Sequence, residues 1–61
     1  MFPFRVVVTD GDRATSTTIV RLDRSPDVGE TVRLPHGGQV VVRHVVTGRD
    51  GLAGVVVAAP A

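Results

Sequence analysis

Apolar residues return at every second position in Phe4-Arg5-Val6-Val7-Val8 and again in Val32-Arg33-Leu34. That is the period of a strand with one covered face. No segment repeats apolar residues at helical spacing through three turns, and glycine or proline interrupts every stretch longer than about ten residues. Valine, the commonest residue with fourteen copies, is stiff at χ1 and suits a pleated surface. The pattern predicts five strands, over 4–9, 14–22, 31–34, 39–47 and 54–59.

Turn chemistry lies between them. Asp10-Gly11-Asp12, Ser25-Pro26-Asp27-Val28-Gly29, Pro35-His36-Gly37-Gly38 and Gly48-Arg49-Asp50-Gly51 are the four connections, with Pro26 suited to position i+1 of a type I turn.

Side-chain alternation then proposes a register, because a one-residue slip moves every side chain to the other face. A three-residue loop at 10–12 pairs Val8 with Ala14 and Val6 with Ser16. A loop at 36–38 pairs Leu34 with Val40 and Val32 with Val42, with Gly38 in the left-handed position. A loop at 48–51 pairs Val42 with Val57 and His44 with Val55. The inward set becomes Phe4, Val6, Val8, Val20, Leu22, Val32, Leu34, Val40, Val42, Val46, Val55 and Val57. Glu30 and His44 then oppose each other at one end of the inward face, as a hydrogen-bonded pair. On the outer face the same register lines up Val41, Val45, Val56 and Ala58, an apolar stripe of the kind that marks an interaction surface.

Length and charge narrow the functions. Sixty-one residues make a single domain, 1–61, of a size that buries only about 60% of its unfolded surface. With no cysteine there is no disulfide, thiolate metal site or thiol nucleophile. Net charge is +1, seven arginines against five aspartates and one glutamate, without the clustered excess usual in nucleic-acid binders. No apolar run has the length of a membrane span or of a secretory leader, so a cytoplasmic protein without membrane contact is expected.

Five short strands, with Pro26-x-Val28-Gly29-Glu30-x-Val32 leading into the third, resemble the small SH3-like barrels of bacteria. The resemblance implies an all-β, five-stranded antiparallel SH3-like barrel. Val40 to Val56 also resembles a KOW motif, with Gly48, Gly51 and Gly54 as its glycines and Arg49-Asp50 where the motif is usually basic. Fold alone does not set function.

No nucleophile–base motif occurs, and Asp10 and Asp12 read as turn formers. His36 and His44 match no metal-ligand spacing. The expectation is a non-enzyme without metal or cofactor. It would be a binding module whose partner is a second copy or another protein, held at Val41, Val45, Val56 and Ala58. The alternative is a nucleic-acid-binding module contacting phosphates through Arg33, Arg43 and Arg49.

Overall fold

The computed structural model describes residues 1–48 and 51–61. All regular structure in these residues is strand: β1 (Phe2–Asp10), β2 (Arg13–Leu22), β3 (Thr31–Arg33), β4 (Gln39–Thr47) and β5 (Gly54–Pro60). They form one sheet in the order β2-β1-β5-β4-β3. Among the described residues no helix is long and apolar enough to cross a membrane.

The sheet is mixed, which corrects the all-antiparallel expectation. β1–β2, β3–β4 and β4–β5 are antiparallel, but β1 and β5 run parallel, from Phe4 opposite Gly54 to Val8 opposite Ala58. Direction reverses at each of these hairpins, and the connection between β2 and β3 carries the chain from one edge of the sheet to the other. That connection sets the direction of β3 relative to β2, and it enters β3 so that β5 comes to lie parallel beside β1.

Two irregularities bend the sheet. The register shifts between Val8 and Thr9 against β2, and between Val42 and His44 against β5. A bulge increases local twist and bends its strand, and the result is a strongly curled half-barrel. Its concave side holds the core: Phe4, Val6, Val8, Val20, Val32, Leu34, Val40, Val42, Val56 and Ala58.

The turns differ from expectation by one or two residues. Between β1 and β2 the loop is the pair Gly11-Asp12, with Asp10 opposite Arg13, and the bulge then places Val8 opposite Ser16 rather than Ala14. Between β2 and β3, the Glu30 N–H donates to the Asp27 carbonyl at 3.0 Å and Gly29 has φ 92°. The turn therefore starts at Asp27 and needs glycine at i+2, the type II position, instead of resting on Pro26. Between β3 and β4 the Leu34 N–H donates to Gly38 and the Gly37 N–H to Leu34, at 2.7 and 2.9 Å. The loop is thus Pro35-His36-Gly37, with Gly37 rather than Gly38 at positive φ, and Val32 meets Val40.

The β4–β5 connection is longer than expected, spanning 48–53, with Gly48 N–H donating to the Ala53 carbonyl at 3.1 Å. Val46 then opposes Val55, Val45 opposes Val56, and His44 opposes Val57. After the bulge at Arg43, Val42 opposes Ala58, not Val57. This inverts the faces of β5 and of the second half of β4. Val56 and Ala58 are fully buried, Val55 and Val57 turn outward, and Val46 is 47% exposed.

Candidate interaction surface

The inversion relocates the apolar stripe. Of the four residues expected to form it, Val56 and Ala58 belong to the core and Val45 packs against the core from its edge; only Val41 remains on the outer side. A different set of side chains occupies the convex face, and the strand registers place them in rows. One row runs Ile19, Arg5, Val55, Val46 across β2, β1, β5 and β4. The next runs Thr17, Val7, Val57, His44. Beyond it, Ala59, Val41 and Thr31 lie side by side on β5, β4 and β3.

Each apolar member is there because its strand has apolar residues at both parities. Val6-Val7-Val8 in β1 and Val55-Val56-Val57 in β5 send the middle or outer members of each triplet to opposite sides. Parallel strands with such runs normally have both faces covered. Here the concave side is covered by the core, while Ile19 is 46% and Val46 47% exposed and Val7, Val41, Val55 and Val57 are half-buried. Neither terminus covers the face: Phe2 pairs with Leu22 and Pro60 with Val40, both within strands.

By alternation Arg5, Arg21 and Arg33 are outward. Among the described residues, no carboxylate stands in the rows around Arg5, whereas Arg21 and Arg33 share the seam between β2 and β3 with Asp23 and Glu30. The described carboxylates are Asp10 and Asp12 at the β1–β2 turn and Asp23, Asp27 and Glu30 along the β2–β3 connection.

Of the phosphate-binding trio expected from the sequence, Arg33 and Arg43 are not neighbours across the β3–β4 pair. Arg33 opposes Gln39, four residues along β4 from Arg43, which is roughly 13 Å at strand rise. Arg43 sits at the β4 bulge, and Arg49 lies outside the described residues. The expected Glu30–His44 pair is not formed either. His44 is exposed opposite Val57, whereas Glu30 takes Arg24: Nη2 to Oε1 at 2.5 Å and Nη1 to Oε2 at 3.2 Å. The Asp27 N–H adds a bond to Oε2 at 2.9 Å. The guanidinium hydrogen bond and then the backbone amide hold the Glu30 carboxyl below the usual carboxylate range. His36 sits in the β3–β4 turn, away from His44.

A cleft of about 260 Å³ opens where the end of β2 faces β3, lined by Val20, Leu22 and Val32 and by the charged residues Arg21, Asp23, Arg24, Glu30 and Arg33. It is the seam of the half-barrel, and sequence reasoning missed it because both edges had been expected to close.

Comparison with protein-family models, with curated proteins and with solved structures finds no match to this chain.

Proposed function

We propose that this chain is a non-catalytic binding module that works through protein contact at its convex valine face. The observation that carries this reading is the two-sided apolar character of the central parallel pair. Val7, Val55 and Val57 lie outside the protomer's core, yet occupy adjacent rows with Ile19, Val41 and Val46. Contiguous apolar patches on a small domain mark contact surfaces. The curled five-stranded half-barrel is compatible with the SH3-like barrels that the strand pattern resembles, and small barrels of that shape serve as binding scaffolds.

The test is affinity capture from a cell extract alongside sedimentation of the purified chain, using wild type and a Val7→Asp/Val57→Asp variant. Expected is an association, with itself or with a defined protein, that the variant loses while its β-sheet circular dichroism is retained. No difference between the two would defeat the proposal.

A second reading, phosphate contact with nucleic acid, is favoured by one observation: alternation turns Arg5, Arg21 and Arg33 outward, and no described carboxylate stands in the rows around Arg5. Such binding must weaken steeply with salt as neutralised phosphates release counterions. Absence of binding to duplex DNA or RNA at about 50 mM salt, where it is strongest, removes this reading.

A further inference from the structure

We infer that Arg5 selects what the convex face binds: an acidic protein segment that sets a carboxylate among aliphatic side chains, not a second copy of this chain. The inference rests on the reading of that face as a contact surface.

Arg5 interrupts the apolar row at one end of the patch. Ile19 is directly opposite it on β2 and Val55 directly opposite on β5, with Val7 two positions along its own strand. An occupant that spans the row from Ile19 to Val55 must therefore cover Arg5 too. Its guanidinium stays charged at any working pH, and covering it without a counter-charge is strongly unfavourable.

A symmetric contact uses the same patch twice. Two Arg5 side chains would then be covered together. The other ionic groups that the registers put on this face, Arg21 and Arg33, have the same sign. Asp23 and Glu30 lie beside Arg21 and Arg33 at the β2–β3 seam, and Glu30 already holds Arg24, while no described carboxylate stands in the rows around Arg5. The counter-charge has to come from the occupant.

The geometry states what that occupant presents. Arg5 is flanked by aliphatic side chains one strand away on each side, about 5 Å. A carboxylate accepting the two-pronged guanidinium, with aliphatic groups on either side to meet Ile19 and Val55, satisfies every element of the row. Arg5 thus opposes packing of the face against a second copy and makes the specificity contact for the partner.

The experiment uses two synthetic peptides with valine at alternate positions, one with aspartate between them and one with lysine, and vesicles of phosphatidylcholine with phosphatidylglycerol. Amide chemical shifts of the full chain are read on titration, and sedimentation is run to about 1 mM protein. The wild-type chain is expected to remain a monomer and to bind the aspartate peptide at least about tenfold more tightly than the lysine peptide. Shifts should centre on Val7, Val55 and Val57, and the preference should vanish in Arg5→Gln. Arg5→Val, which removes the cation and completes the apolar row, is expected to dimerise.

Wild-type self-association that perturbs the same amides would overturn the acidic-partner inference and leave the contact-face reading standing. Binding to the vesicles but not to the aspartate peptide would assign the face to a lipid surface and also overturn it. Peptides without effect, together with a monomeric Arg5→Val chain, would overturn both.

Discussion

Phe4 and Gly54 lie directly opposite one another in the parallel β1–β5 pair, and a Cβ on Gly54 would come 3.0 Å from both the Phe4 ring and the Val46 carbonyl oxygen. The largest side chain of the core is seated over the one β5 position without a side chain. Gly54→Ala is therefore expected to cost about 1–3 kcal/mol through overpacking, read as a lower denaturant midpoint with an unchanged slope. Phe4→Leu should recover part of that loss in the double variant, because contacting sites do not add. Full additivity would show that ring and glycine do not compete for the same space.

At Gly48 the obstacle is backbone. An added Cβ would overlap the Leu52 carbonyl oxygen and the main chain at Ala53 and Gly54, and the φ of Gly48 is not in the left-handed region. Gly48→Ala should thus destabilise more than Gly37→Ala, where φ is 98° but no atom lies within 4 Å of the new Cβ. Thermal denaturation of the two variants side by side checks the order; a smaller loss at Gly48 would contradict it.

The strand positions were legible in the sequence because valine alternation and turn residues agree along the chain. Faces were legible for β1, β3 and the second half of β2: the β3–β4 loop moved, but by a shift that preserved parity, and the bulge opposite Thr9 restored parity from Ser16 onward. β5 was not legible. Its triplet Val55-Val56-Val57 is apolar at both parities, so only the register could choose a face; the longer turn moved the pairing by two residues and kept parity, and the bulge at Arg43 reversed the choice. One signal was present. Gly54, Val56 and Ala58 include the two smallest residues at alternate positions, which suits a face packed beneath Phe4 and against Val42. The candidate surface followed the same error: a two-sided apolar sheet was readable, but not which valines faced out.

Glu30 gives a pH signature. Its carboxyl is held below the usual carboxylate range, first by Arg24 and then by the Asp27 amide. The unfolded chain therefore binds this proton more readily than the folded one, and stability rises with pH across the interval between the two values. The contribution is fully present above the ordinary carboxylate range and is lost as pH falls through the lowered folded value. Glu30→Gln should flatten that acid limb and leave neutral-pH stability only slightly changed, as suits an exposed ion pair. An acid limb of unchanged steepness in Glu30→Gln would assign the dependence to other carboxylates.

Core parity separates neighbouring valines. Val56 is fully buried, so Val56→Ala should lose about 2 kcal/mol, whereas the half-buried, outward Val57 should lose well under half of that. Urea midpoints of the pair read the difference directly, and equal losses would place both side chains in one environment.

The absence of cysteine allows the central assignment, a convex valine face open for contact, to be measured in one thiol-reactivity experiment. Val46→Cys and Val56→Cys are single-thiol variants at positions 47% and 0% exposed, the reverse of the faces that simple alternation gives. The thiol at 46 should react with a small disulfide reagent at the rate of a free thiol and be protected by the aspartate–valine peptide. The thiol at 56 should react only as fast as the chain unfolds. A fast thiol at 56 with a slow one at 46, or a thiol at 46 that no occupant protects, would contradict the account.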